Sequence, residues 1–223
     1  MIKAVVFDMF ETLITLFNSE LYKGREISCE MGIPEKVFRE IWDPSEEYRT
    51  VGLRTFEDVI TEILNTHGIY SQALYDTIIS KRYRCTANAF EHKRPDIIPM
   101  LKALKDKGIK TGIITNCYFE ERDAILKSDL YPYFDTLCMS CEEGIKKPDI
   151  RIYELCIKRL GVRPEECLFV GDGGSNELEA ALAAGMKALQ ATWYLKEGTD
   201  QPCGELDGFG HAKAPEDVLK AVG

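Results

Sequence analysis

Ala4-Val5-Val6-Phe7-Asp8 opens the chain with four apolar residues closed by a carboxylate. A run that short, apolar on alternate residues of both faces, suits a buried parallel strand rather than a helix. The pattern recurs at wide intervals. Thr111-Gly112-Ile113-Ile114 ends at Thr115-Asn116, and Leu168-Phe169-Val170 ends at Gly171-Asp172. Residues 187–192 repeat it more weakly. Helical patterns lie between these runs. Residues 96–107 put Ile97, Ile98, Leu101 and Leu104 on one face, and Gly108 follows as a stop. Residues 150–161 also close on a glycine, and residues 176–185 form an alanine-rich helix with Asn176 and Glu177 in its first turn. Strands alternating with helices predict an α/β fold built on a parallel sheet.

Residues 15–91 read differently. Segments 20–31, 35–42, 56–67 and 71–84 are amphipathic and helical, punctuated by Gly32, Gly52 and Gly68, and no buried strand stands out. The prediction is a smaller all-helical domain at 15–91, inserted into an α/β core formed by 1–14 and 92–223.

Composition narrows the function. With 45% hydrophobic and 29% charged residues, the chain has the balance of a folded globular protein rather than a disordered one. A net charge of −9 disfavours nucleic acid and anionic membrane as partners, so a pocket for a small anion would have to be built locally. No apolar run reaches bilayer-spanning length. Met1-Ile2-Lys3 leads straight into the first strand, which is too short for a secretory core. The eight cysteines are therefore expected as reduced thiols of a cytoplasmic protein, monomeric or homodimeric. Cys138-Met139-Ser140-Cys141 has C-x-x-C spacing, but no second pair completes a zinc site.

In an open parallel sheet, ligands bind beyond the carboxyl ends of the strands. That rule gathers Asp8, Thr115, Asn116 and Asp172 at one rim. Two facing carboxylates repel unless a cation or a proton relieves them, and oxygen ligands suit Mg²⁺.

The residues around those strand ends carry a family resemblance. Phe7-Asp8-Met9-Phe10-Glu11-Thr12-Leu13 resembles the first motif of the haloacid dehalogenase-like (HAD) hydrolases, and Ile113-Ile114-Thr115-Asn116 the second. Gly144 to Asp149, with Lys147 directly before Pro148, is similar to the third. Val170-Gly171-Asp172-Gly173-Gly174-Ser175-Asn176-Glu177 is similar to the fourth. Four motifs in order span nearly the whole chain. The resemblance implies a Rossmann-like core, with the helical insertion as a cap closing over the site. It implies that Asp8 is the nucleophile and that Thr115 bonds a phosphoryl oxygen, while Lys147 supplies positive charge. It further implies Mg²⁺ held by Asp8, the Phe10 carbonyl and Asp172. Glu177 stands where a second acid is usual, one methylene longer, and would act indirectly or through water. Phe10, Thr12 and Asn116 would line the substrate site, with the Thr12 hydroxyl bracing its loop. Lys146 would be solvated.

Phe10 departs from the phosphatase pattern, which usually has an aspartate there to protonate the leaving oxygen. Such help is worth ~10²–10⁴ in rate. An aromatic residue is common in members that cleave carbon–halogen bonds. Those members replace the fourth-motif acid with small neutral residues, whereas this chain keeps Asp172. The expectation is a Mg²⁺-dependent phosphatase of a small phosphorylated metabolite, acting through an aspartyl-phosphate on Asp8. It would favour good leaving groups, or recruit another acid such as Glu11. The alternatives are a metal-independent 2-haloacid dehalogenase using Asp8, and a phosphate-binding protein with little turnover. His67, His92 and His211 read as surface or hinge residues. Arg25, Arg39, Arg49 and Arg54 read as solvated helix charges, and Tyr22, Trp42 and Tyr48 as core of the insertion. Gln201-Pro202-Cys203-Gly204 suggests no mechanism.

Overall fold

The computed structural model describes residues 1–195 and 204–223, so Gln201, Pro202 and Cys203 lie outside the described residues. Strand β1 (Ala4–Phe7) is followed by helices α1 (Gly24–Met31), α2 (Glu35–Thr50), α3 (Phe56–Thr66) and α4 (Gln72–Glu91). Then come α5 (Ile97–Asp106), β2 (Lys110–Thr115), α6 (Phe119–Lys127), β3 (Thr136–Met139) and α7 (Ser140–Glu143). The chain continues through α8 (Ile150–Leu160), β4 (Cys167–Gly171), α9 (Glu177–Ala183), β5 (Lys187–Ala191), β6 (Gly210–Ala212) and α10 (Glu216–Val222).

The six strands form one parallel sheet in the order β3-β2-β1-β4-β5-β6. The α/β fold expected from the sequence is therefore the one observed. Strand β1 lies at the centre because it is apolar on both faces. Val5 and Phe7 enter one hydrophobic layer with α5 and α10, and Ala4 and Val6 enter the other with α8 and α9. The chain runs outward from β1 to one edge and then returns to fill the other. This reversal opens a crevice at the strand ends beside β1.

Helices α1–α4 have a hydrophobic cluster of their own, including Ile27, Phe38, Phe56, Ile60 and Ile63. They rest on the sheet domain at defined points. Arg82 of α4 bonds Glu120 and Glu121 of α6. Lys146 pairs with Glu47 of α2. Gly52, at φ +72°, comes so close that a Cβ would lie 1.9 Å from the Cys141 carbonyl oxygen. Only glycine meets both conditions.

Several boundaries differ from the prediction. Helix α2 runs to Thr50 through Pro44, where a stop after residue 42 was expected. The carbonyl that loses its partner to Pro44 belongs to Glu40, on the exposed side of the helix, where it is open to solvent. Helix α1 starts at Gly24 rather than residue 20, where Glu26 reaches back to the Lys23 N–H. Strands β3 and β6 and helices α6 and α10 went unpredicted. β3 and β6 are sheet edges of four and three residues, too short to show a period. His211, read as a surface or hinge residue, lies half-buried in β6. The seven described cysteines are all free. Cys138 and Cys141 do not share a site, since Cys141 faces Cys117 and Cys138 lies beside Arg159. Among the described residues, no helix is long and apolar enough to cross a membrane.

Candidate active site

Asp8 extends the β1 ladder by one bond, its N–H donating to the Val170 carbonyl at 2.9 Å. The chain then turns tightly, with the Leu13 and Ile14 N–H groups both donating to the Met9 carbonyl and Phe10 bridging to Ile14. Glu11 holds this turn at φ +57°. Its carboxylate accepts from Thr15 Oγ1 at 2.6 Å and from the Leu16 N–H at 2.8 Å. Each of its oxygens accepts a bond from the loop, so the carboxylate braces the turn that follows Asp8. The brace expected of the Thr12 hydroxyl is not found, because that atom is buried with no partner among the described residues. The Thr12 carbonyl does the bracing instead, accepting from Trp193 Nε1 at 2.8 Å.

At the end of β4 the backbone coils back on itself. Gly173, Ser175 and Asn176 all have positive φ, at 99°, 55° and 50°. The turn brings Glu177, the first residue of α9, beneath Gly171. A Cβ at 171 would lie 2.0 Å from Glu177 Oε1, so glycine is required there. Glu177 Oε1 accepts from the Gly173 N–H at 3.1 Å, and Asp172 Oδ1 accepts from the Gly174 N–H at 2.9 Å. Buried Gln190 of β5 anchors the turn by donating to the Asp172 carbonyl.

Lys147 enters from the loop before α8. Asn116 fixes it reciprocally: Asn116 Oδ1 accepts from the Lys147 N–H at 2.8 Å, and Asn116 Nδ2 donates to the Lys147 carbonyl at 3.1 Å. Asn116 lines the cavity as expected, yet its amide is committed to placing the lysine. Lys147 Nζ donates to Asp8 Oδ1 and to Glu177 Oε2, each at 2.5 Å. Glu177 was expected to act indirectly or through water, and its carboxylate is in direct contact with the lysine that also holds Asp8.

Oxygen atoms of Asp8, Asp172 and Glu177 lie within 4.8 Å of one another, and all three residues are buried. Burial opposes the charge on Lys147, but Asp8 and Glu177 outweigh it and hold its pKa above the ordinary value. Desolvation, with repulsion from Asp8, pushes Asp172 up to about 6. Desolvation also lifts Glu177, to about 8, against the pull of Lys147. One ammonium against three carboxylates leaves an excess of negative charge, and a hard dication is its natural complement. Thr115, at the end of β2, is fully buried, and its Oγ1 has no partner among the described residues.

A cavity of about 640 Å³ extends from Lys147 and Phe10 up between the helical insertion and the sheet. Tyr22 and Trp42 line it, whereas Tyr48 is exposed. Arg39 and Arg54 pair with surface acids and Arg25 is exposed, as expected. Arg49 is not a solvated charge, since it is 1% exposed. It continues the buried stripe Phe38, Trp42, Ser45 at helical spacing, a signal present in the sequence. Arg82 was also missed. It follows Ile78 and precedes Cys85 on the buried stripe of α4.

Comparison with known proteins agrees with this architecture. The family model for haloacid dehalogenase-like hydrolases matches residues 2–185. The chain belongs to that family and is a hydrolase of it. Among curated relatives, glyceraldehyde 3-phosphate phosphatase of Methanopyrus kandleri is 28% identical over 85% of this chain and 84% of its own. Among solved structures, a 2-haloacid dehalogenase from Pseudomonas syringae pv. Tomato DC3000 superposes with a TM-score of 0.69 at 21% identity, covering 100% of this chain and 98% of that one. A HAD family enzyme from Bacteroides thetaiotaomicron, in complex with magnesium and inorganic phosphate, gives 0.62 at 18% identity, covering 90% and 97%. Both structural likenesses concern the fold.

Proposed function

We propose that the chain is a Mg²⁺-dependent phosphatase of a small phosphorylated metabolite, with Asp8 as nucleophile. One observation carries this reading: Asp172 and Glu177 are kept, buried, beside Asp8 and Lys147. A metal-independent displacement has no use for two further anions next to its nucleophile. The phosphatase relative supports the same reading.

The donor set fits the ion, since all three ligating groups are carboxylates drawn to one point. Asp8, Asp172 and Glu177 would hold it, with the Phe10 carbonyl completing the set. When bound, Mg²⁺ supplies charge stabilisation to the transferring phosphoryl group. Lys147 orients Asp8 through its 2.5 Å contact and adds positive charge at the same place. Thr115 Oγ1, otherwise without a partner among the described residues, donates to a phosphoryl oxygen. An Asp8 carboxylate oxygen attacks phosphorus, the phosphorus–oxygen bond to the leaving group breaks, and an aspartyl-phosphate forms. Phe10 gives the leaving oxygen no proton, so water must supply it. Water then attacks the phosphorus, releases inorganic phosphate and restores Asp8. Activated esters such as aryl phosphates are therefore the favoured substrates.

Phe10 in the cavity wall favours a second reading, hydrolytic dehalogenation of a short 2-halo acid, because halide leaves without a proton. Assay of an aryl phosphate and a panel of 2-halo acids, with Mg²⁺ and with chelator, separates the two. The expected result is phosphate release that chelation abolishes and that Asp8→Asn lowers by at least about 10³-fold. Halide release indifferent to chelator would replace the first reading with the second.

A further inference from the structure

Arg49 lies outside the cluster just described, and nothing there uses it. Its guanidinium carbon lies 3.9 Å from the Trp42 ring centroid and 4.4 Å from that of Tyr118. Nε donates to Ser45 Oγ at 3.1 Å. Nη1 is buried with no hydrogen-bond partner among the described residues, although the residue lines the cavity shared with Lys147. Arg49 forms no ion pair among the described residues; Arg82 holds Glu120 Oε1 and Glu121 Oε1, and Glu120 Oε2 is itself buried with no hydrogen-bond partner among the described residues. A buried charged donor left without an acceptor is costly, and such groups normally find a partner.

We infer that Arg49 is the recognition group for a carboxylate on the substrate, at the end remote from the phosphoryl group. The geometry selects this ligand. Two aromatic rings crowd the guanidinium, which leaves its N–H edge for bonding, and a planar carboxylate matches an edge. Glu20, Glu46 and Glu121 line the same cavity beside Lys23, Arg82 and Lys146, so its wall is of mixed charge, and the edge of one guanidinium is balanced by a singly charged carboxylate. The substrate class is thus a small phosphomonoester that also bears a carboxylate. The inference deepens the phosphatase reading and rests on it for that class. Carboxylate binding at Arg49 does not depend on turnover.

The test compares a short phosphomonoester carboxylic acid with its neutral carboxamide. For the native enzyme, kcat/KM should be at least about tenfold higher for the acid. In Arg49→Gln the ratio of the two should fall to within about twofold, and Arg49→Lys should restore part of it. The ratio is internally normalised, so a general loss of activity does not affect it. A phosphate-free probe, a three-carbon monocarboxylate, is titrated calorimetrically into native protein and into Arg49→Gln. Binding to the native protein alone supports the subsite even if no phosphate ester is turned over, a result that would sink only the phosphatase reading. Equal kcat/KM for acid and carboxamide in the native enzyme, with no binding of the monocarboxylate, overturns the subsite and leaves the phosphatase reading standing. Should Arg49→Gln fail to fold, both native measurements still decide.

Discussion

Asp172 illustrates how one side chain ties the site to pH. Its folded pKa is about 6, against an ordinary 3.8, because burial and Asp8 disfavour its anion. A raised carboxylate pKa means that the folded state binds the proton more tightly than the unfolded chain. Its contribution to stability is therefore greatest below 3.8, declines as pH rises from there to about 6, and is constant above. Metal-free Asp172→Asn should accordingly be more stable than the native protein at pH 7.5, with the gap closing by pH 4, as measured by urea unfolding in the presence of a chelator. The same proton competes with a cation, so Mg²⁺ affinity should weaken as pH falls below about 6. A stability gap that does not change with pH would remove this account. Glu11 shows the opposite lesson. It is an acid beside the nucleophile that looks catalytic in the sequence, yet the positive φ at its position turns its carboxylate onto Thr15 and Leu16.

At the level of elements, α4 and α6 join the helical insertion to the sheet domain. Arg82 is the joint, with Nε on Glu120 at 3.0 Å, Nη2 on Glu121 at 3.1 Å and Nη1 on the Tyr22 carbonyl at 3.2 Å. Removing one partner of a buried ionic group strands the others. Arg82→Met is therefore expected to cost about 3–5 kcal/mol in denaturant unfolding. Adding Glu120→Gln and Glu121→Gln should recover most of that loss, because the stranded charges go with the arginine. If the triple variant is as unstable as Arg82→Met, the joint is held by packing rather than charge. The joint was hidden in the sequence for a physical reason. An arginine on a helix reads as solvated unless a distant segment brings it acids, and α6 is 38 residues further on.

Across the whole molecule, the strand ends, the lysine loop and the α9 turn come together at one point with an excess of negative charge, so a dication bound there would act as a ligand of the folded state alone. At a hundred times its Kd, such a ligand adds about 2.7 kcal/mol. For a chain of this size that corresponds to a rise in Tm of roughly 5–10 °C. Mg²⁺ should produce this shift in the native protein and not in Asp172→Asn, and a Tm indifferent to Mg²⁺ would count against the metal site. The sequence by itself determined the parallel α/β sheet and the gathering of Asp8, Thr115 and Asp172 at its rim. Apolar runs and their terminating residues are local patterns, and the rule for strand ends does the rest. Only the tertiary structure decided that Glu177 touches Lys147, that Glu11 is spent on its own loop, and that Arg49 is a buried donor facing the cavity. For Glu177 and Arg49 the outcome depends on which groups a charge meets once water is excluded, and those come from segments that no local pattern connects; for Glu11 it depends on the positive φ of its own turn, which the residue types do not announce.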